Sequence, residues 1–159
     1  MYKRQLLILF VGIVSCEKPE QFTDAALNET VISKNGSTTT IGNILSDEKG
    51  NTVLVDVWAS WCSDCIKGLP DVKQLQSDYP DVPFIFLSVD VNEDSWRKSI
   101  EKYNIEGHHY FLPKGLKGDF GQFLNSNWTP RYMVIDRNGA IKLFKAKKAT
   151  DIRIKEALN

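Results

Sequence analysis

The segment at residues 53–65, VLVDVWASWCSDC, limits the possible folds more than any other part of the chain. Residues 53–58 form an apolar run that only Asp56 interrupts, as is typical of a central β-strand covered on both faces. After Cys62 the apolar residues recur at helical spacing, at Ile66, Leu69, Val72 and Leu75. The sequence therefore predicts a buried strand leading directly into a helix, with two cysteines spaced C-x-x-C at the junction.

The rest of the chain continues this alternation of strands and helices. Pro70 lies inside the predicted helix and indicates a kink, and an Asn-Gly turn at 138–139 indicates a hairpin. The patterns predict strands at 84–90, 108–112, 131–136 and 140–145, helices at 93–103, 118–126 and from Asp151 onward, a short edge strand and turn at 38–44, and a loop at 46–51. This order predicts an α/β sandwich with a mixed sheet.

The N-terminal residues differ in character from the rest. Two basic residues precede a nine-residue apolar run at 6–14, which is too short to span a bilayer but is typical of an export signal. The run ends in IVSC at 13–16, which resembles the lipobox of bacterial lipoproteins; the alternative is an ordinary secretory signal with an incidental cysteine. The resemblance implies a signal peptide at 1–15 and lipidation of Cys16. We expect a tether and N-terminal extension at 16–35 and a folded domain at 36–159.

The cysteine count leaves one pair for chemistry. The chain has three cysteines, and lipidation of Cys16 leaves Cys62 and Cys65. A disulfide across a two-residue spacer closes too small a loop to restrain the unfolded chain much, so this pair is a poor structural staple. The formal net charge is zero and no basic stripe is interleaved with aromatic residues, which argues against a nucleic-acid partner.

The strand, the W-C-x-x-C, the following helix and a later Thr-Pro together resemble the thioredoxin superfamily. The lipobox, SVDVNED and WTPRYMVID make the chain most similar to the envelope-anchored TlpA/ResA type, over about residues 36–158. This resemblance implies a thioredoxin-like three-layer sandwich with a mixed central sheet. It also implies a thiol–disulfide oxidoreductase without a cofactor, lipid-anchored on the periplasmic side of the cell envelope. Its expected partners are disulfide-bonded exported proteins and a membrane electron donor, and we expect a monomer.

Three residues carry the expected chemistry. Cys62 lies where a helix N-terminus stabilises a thiolate, so we assign it as the nucleophile. Cys65, one turn later and less exposed, is the resolving thiol. Asp56 matches the buried acid of thioredoxin, and burial should raise its pKa so that it exchanges a proton with Cys65. The alternative for Asp56 is an outward-facing residue of an edge strand.

Further residues are expected to bind the substrate. Thr129-Pro130 resembles the cis-proline loop of the superfamily, which pairs with an extended substrate; the alternative is a trans proline that opens a strand. Trp61 is expected to wall the site together with Trp58 and Trp128. Asp64, inside the C-x-x-C, places a negative charge beside Cys62, which favours a reducing couple and hence a reductase.

Other classes of function fit less well. A zinc site would need two ligands besides the cysteines, and only His108 and His109 are available; neighbours on a strand point to opposite faces. We therefore expect no metal and interpret both histidines as exposed polar residues in a loop or edge strand. A thioredoxin-fold binding module and a peroxiredoxin-like peroxidase remain as alternatives, although the intact dithiol with Asp56 and Pro130 argues against a degenerate site.

Overall fold

The computed structural model describes residues 18–159, so the predicted signal peptide and Cys16 lie outside the described residues. The described chain forms seven strands: β1 Thr30–Ser33, β2 Thr38–Thr40, β3 Val53–Trp58, β4 Phe84–Ser88, β5 His108–Phe111, β6 Arg131–Ile135 and β7 Ile141–Ala146. Its α-helices are α1 Asp24–Leu27, α2 Ile41–Asp47, α3 Ser63–Asp78, α4 Glu93–Lys102, α5 Asp119–Leu124 and α6 Ile152–Leu158. None of the helices in this part of the chain is both long and apolar enough to cross a membrane.

All seven strands join one sheet; its mixed character was predicted from the sequence, whereas β1 was not. The strand order is β2-β1-β5-β4-β3-β6-β7, with β3, β4 and β5 parallel and the other pairs antiparallel. Every residue of β3, β4 and β6 is buried. Because successive side chains point to opposite faces, both faces of these strands are covered by other layers of the fold.

One face of the sheet carries the long helices. The parallel connections β3–α3–β4 and β4–α4–β5 run in the same direction across the sheet, so right-handed crossovers place α3 and α4 on the same face. On α4, Trp96 lies 5.7 Å from Phe111 of β5, measured between ring centroids. The terminal helix α6 is joined to α3 by an ion pair of 2.8 Å between Lys155 and Asp78. The three-layer α/β fold predicted from the sequence is confirmed.

The folded part of the chain begins before residue 36, which corrects the predicted boundary of the tether. Strand β1 lies between β2 and β5 in the sheet, and its Val31 is fully buried. The strand pairs Ile32 with Phe111, which lies far away in the sequence. A four-residue strand, TVIS, is too short and too polar to show a periodic pattern, and its order depends on a partner that the local sequence does not contain.

Helix α2 replaces the end of the predicted edge strand and the start of the predicted loop. Thr40 caps this helix, because its Oγ1 accepts a hydrogen bond of 3.2 Å from the N–H of Asn43.

The histidines differ from the prediction. His109 is buried on the interior strand β5, its ring stacks on Phe86 at 4.9 Å between centroids, and its Nε2 lies 2.8 Å from the carbonyl oxygen of Ile105. Burial lowers the pKa of His109 to about 4. His108 is exposed, so the two neighbours do point to opposite faces. The interpretation of both as exposed residues is therefore wrong for His109, which is an uncharged core residue.

Candidate active site

Cys62 and Cys65 form a disulfide at the N-terminus of α3. Cys62 is the N-cap residue of that helix, and its Sγ accepts a hydrogen bond of 3.1 Å from the N–H of Cys65. In the reduced protein this N–H and the helix dipole would stabilise a thiolate on Cys62. Cys62 is 6% exposed and Cys65 4%, so the expected difference in exposure is small in the oxidised state.

Asp56 lies beneath the helix that carries both cysteines. In the sheet it is paired with Tyr132 of β6, and a Cβ atom on Gly68 of α3 would lie 3.6 Å from the Tyr132 hydroxyl. Paired residues on neighbouring strands share a face, so Asp56 and Tyr132 both face α3. Asp56 is only 4% exposed. The alternative of an outward-facing aspartate on an edge strand is therefore wrong.

The environment of Asp56 favours its neutral form. Its Oδ1 is buried and accepts no hydrogen bond from any residue within 18–159. Burial raises the pKa of this carboxyl from 3.8 to about 8. That value is close to the pKa of an ordinary thiol, about 8.5, so Asp56 is suited to exchange a proton with a cysteine at neutral pH.

The Thr129-Pro130 peptide bond is cis, as predicted. Both residues are buried, and the Oγ1 of Thr129 has no hydrogen-bond partner in the described chain. Strand β6 begins at the next residue, Arg131, which pairs with Val57 near the end of β3. The proline loop and the C-x-x-C therefore lie at the same edge of the sheet, where Pro130 and Asp64 line a common groove of about 500 Å³.

The three tryptophans have separate positions. Trp61, next to Cys62, is 61% exposed, and Trp128 lines the groove and is 42% exposed. The guanidinium of Arg131 stacks on the Trp128 ring, 3.4 Å from its centroid. Trp58 is 1% exposed and belongs to the core. Trp61 and Trp128 are thus available at the surface of the site, whereas Trp58 packs behind it.

One buried acid of the site was not predicted from the sequence. Asp90, at the end of the apolar run 84–90, is 3% exposed and accepts hydrogen bonds from Ser60, two residues before Cys62. The sequence contained a signal for it, because a carboxylate that ends an apolar run resembles the pattern that identified Asp56.

Comparison with known proteins agrees with this geometry. The chain is 29% identical to the thioredoxin-like protein YneN of Bacillus subtilis over 102 residues, covering 62% of this chain and 58% of that protein. It is 26% identical to the thiol-disulfide oxidoreductase ResA of Oceanobacillus iheyensis over 117 residues, covering 72% and 59%. The chain thus spans somewhat less than two thirds of the length of these two relatives.

A solved structure is similar over nearly the whole chain. A solution structure described as a thiol-disulfide oxidoreductase from Bacteroides vulgatus superposes with a TM-score of 0.70 at 29% identity, covering 86% of this chain and 88% of that one. The family model described as thioredoxin-like matches residues 50–141, which include β3, both active-site cysteines and the cis-proline loop. Because this match covers more than half of the sequence, the chain belongs to the thioredoxin-like family.

Proposed function

We propose that this protein is a thiol–disulfide oxidoreductase of the cell envelope that reduces disulfides in exported proteins. One arrangement carries the proposal: Cys62, disulfide-bonded to Cys65, caps α3, the buried Asp56 faces the same helix, and Pro130 with its cis peptide bond lines a groove together with Asp64 of the C-x-x-C. The similarity to proteins described as thiol-disulfide oxidoreductases supports the class of reaction. The substrates and the location are part of the proposal.

The reaction begins from the reduced protein. The Cys62 thiolate attacks one sulfur of the substrate disulfide, the substrate S–S bond breaks, and the other substrate sulfur leaves as a thiolate that takes up a proton. Cys65 then loses its proton to the ionised form of Asp56 and attacks the Cys62 sulfur; the Cys62–substrate S–S bond breaks, and the second substrate sulfur leaves as a thiolate that takes up a proton. Two electrons have passed from the dithiol to the substrate, and the protein is left with the Cys62–Cys65 disulfide.

Substrate binding would use the surface around this pair. The backbone of Thr129 is suited to pair with an extended segment of the substrate, as in β-strand addition. Trp61, the most exposed of the active-site tryptophans, offers apolar contact area beside the nucleophile. These features favour a polypeptide substrate over a small molecule.

The proposed location rests on the sequence of the N-terminus. Export and lipidation of Cys16 would anchor the domain at the periplasmic side of a membrane. We propose that it is a monomer there. Because the envelope is oxidising, the dithiol would need a membrane electron donor to return it to the reduced state after each turnover. Labelling with a radioactive fatty acid tests the anchor: we expect label in the wild type and none in Cys16→Ser.

The reduction potential of the Cys62–Cys65 pair tests the direction of the reaction. We expect a value near or below about −270 mV, measured by equilibration with dithiothreitol in the Cys16→Ser protein; a value near about −120 mV would indicate a disulfide donor instead. The Cys65→Ser variant should accumulate a mixed disulfide with substrate, and Cys62→Ser should form none. Partner binding that persists without both thiols would favour a binding module, and rapid consumption of peroxide would favour a peroxidase.

A further inference from the structure

Asp90 forms a buried hydrogen-bonded cluster that the proposed reaction does not use. Its Oδ2 accepts a hydrogen bond of 2.9 Å from the N–H of Ser60, and its Oδ1 accepts one of 2.5 Å from the Ser60 hydroxyl. The hydroxyl of Ser88 donates to Oδ2 at 2.7 Å and accepts the N–H of Asp90 itself at 3.1 Å. The carboxylate thus joins the end of β4 to the segment that links β3 to the nucleophile.

Asp90 has no ion-pair partner within 4 Å in the described part of the chain. Its charge is instead met by hydroxyl and amide donors, and hydrogen bonds to an ionised acceptor are roughly twice as strong as neutral ones. Burying a carboxylate costs free energy unless hydrogen bonds compensate for the lost water. Because most of the hydrogen bonds to Asp90 come from one loop residue, Ser60, we infer that Asp90 fixes this loop.

The loop in question ends at the reactive sulfur. The carbonyl of Trp58 accepts the N–H of Val89 at 2.9 Å, and the carbonyl of Ala59 accepts the N–H of Cys62 at 3.1 Å. Between these two backbone contacts, Ser60 is held by Asp90. We propose that Asp90 is a positioning residue: through Ser60, it keeps the Cys62 sulfur close to the N–H of Cys65 in the reduced protein. This inference deepens the proposed oxidoreductase function and rests on it.

The hydrogen bonds between Asp90 and Ser60 matter most in the reduced protein. In the oxidised protein the S–S bond fixes the Cys62 sulfur against α3, whereas in the reduced protein only the side-chain rotamer and noncovalent contacts fix the position of this sulfur. If the loop loosens, the sulfur moves away from the helix N-terminus, and its thiolate loses stabilisation and reacts more slowly. The charge of Asp90 alone has the opposite effect, because removing a nearby negative charge favours a thiolate. The sign of the change therefore separates positioning from simple electrostatics.

The test measures how fast iodoacetamide alkylates Cys62 at a series of pH values. It uses the full-length chain with Cys16→Ser and Cys65→Ser, so that Cys62 is the one remaining thiol. For Asp90→Asn we expect the rate at pH 7 to fall about threefold to tenfold and the titration midpoint of Cys62 to rise. Ser60→Ala, which removes the hydroxyl donor but keeps the charge of Asp90, should shift both quantities in the same direction by less.

Glu29→Gln is the matched control. Glu29 is also a buried carboxylate, 3% exposed, and its Oε2 accepts a hydrogen bond of 2.5 Å from the N–H of Phe120, at the start of α5 rather than at the dithiol. This variant should leave the alkylation of Cys62 unchanged, because Glu29 makes its hydrogen bond to α5. Unchanged or faster alkylation in Asp90→Asn, or an equal slowing in Glu29→Gln, overturns the proposal. The assay needs no disulfide substrate, so failure of the proposed function would appear separately, as a wild type that reduces none.

Discussion

Asp56 should make the stability of the protein depend on pH. Its pKa is about 8 in the folded protein and 3.8 without burial, so between these values the folded state holds one more proton than the unfolded state. Stability must then fall as the pH rises from 4 to 8, because unfolding lets this group ionise. The contribution of Asp56 is therefore unfavourable at pH 8 and nearly absent at pH 4.

Substitution of Asp56 by Asn should remove this pH dependence. We expect the free energy of unfolding of Asp56→Asn minus that of the wild type to increase by about 3 to 4 kcal/mol between pH 5 and pH 8, because only the wild type loses stability over this range. Urea unfolding of the oxidised proteins at both pH values measures it. Burial of the Asn side chain changes the free energy of unfolding by an amount that does not depend on pH, and this amount cancels when the two pH values are compared. Parallel pH profiles for the two proteins would contradict the raised pKa.

The same substitution should slow one step of catalysis. Asn cannot accept the proton of Cys65, so the mixed disulfide should form at a normal rate and resolve on the order of a hundredfold more slowly. Rapid mixing with a disulfide-bonded substrate, followed by acid quenching and gel separation, measures both steps. Equal slowing of formation and resolution would show that Asp56 acts on Cys62 as well, or on the position of α3.

At the scale of single residues, the sequence identified those residues whose role is indicated by their immediate neighbours in the chain. Asp56 stands out because it interrupts an apolar run, and Pro130 because Thr-Pro precedes a strand. Asp90 and His109 also lie in or next to apolar runs, but their roles depend on Ser60 and Ile105, which only the folded chain brings to them. A single sequence shows that a polar residue is buried more readily than it shows what the residue binds.

Helix α3 combines two opposing charges at its start. Its dipole favours a thiolate on Cys62, whereas Asp64 in the first turn opposes it. Removing that charge in Asp64→Asn should raise the reduction potential of the Cys62–Cys65 pair by about 5 to 20 mV. Equilibration in glutathione buffers measures the change. Asp71→Asn, an exposed substitution two turns further along α3, should shift the potential less; a lower potential in Asp64→Asn would contradict the assignment.

Two helical glycines should respond in opposite ways to alanine. A Cβ on Gly68, inside α3, would make only ordinary contact with the Tyr132 hydroxyl, so Gly68→Ala should stabilise the protein by about 0.5 to 1 kcal/mol. A Cβ on Gly121, in α5, would overlap the backbone of Leu116, so Gly121→Ala should cost about 1 to 3 kcal/mol. Urea unfolding compares both with the wild type. Destabilisation by Gly68→Ala would show that the added Cβ conflicts with the Tyr132 hydroxyl.

The elements that the sequence predicted each have a clear local signal in the sequence. The apolar runs of β3 and β4, the helical spacing in α3 and the Asn-Gly turn before β7 are local signals, and each falls where it was expected. The missed elements are β1, α1 and α2, which have four to seven residues each. Segments this short owe their structure to packing against the rest of the fold, which no local pattern encodes.

At the scale of the molecule, the sheet order brings the site together. Strand β3 is central, and its parallel and antiparallel neighbours β4 and β6 place Asp90 and the cis-proline loop on either side of the same C-terminal end. The chain reaches this edge three times, at residues 59–65, 89–90 and 129–130. The resemblance to thioredoxin predicted the first and third of these, whereas the second follows from the pairing of β3 with β4.

The N-terminal extension should prove necessary for folding. A fragment of residues 36–159 lacks β1 and α1, so β5 and β2 lose their shared neighbour and the buried Val31 and Ala26 are removed from the core. It also lacks Glu29, whose carbonyl accepts the N–H of Ile41 at the start of α2. The lost burial is on the order of 5 kcal/mol, comparable to the whole stability of many domains.

We therefore expect the fragment of residues 18–159 to unfold cooperatively in urea, as followed by tryptophan fluorescence, and the fragment of residues 36–159 to show no cooperative transition. Both fragments keep Cys62 and Cys65, so the disulfide contributes equally to each. Equal urea midpoints would mean that β1 adds little to the sheet and that the boundary predicted at residue 36 is sufficient for folding. A cooperative transition of the shorter fragment at a lower urea concentration would measure directly what β1 and α1 contribute to stability.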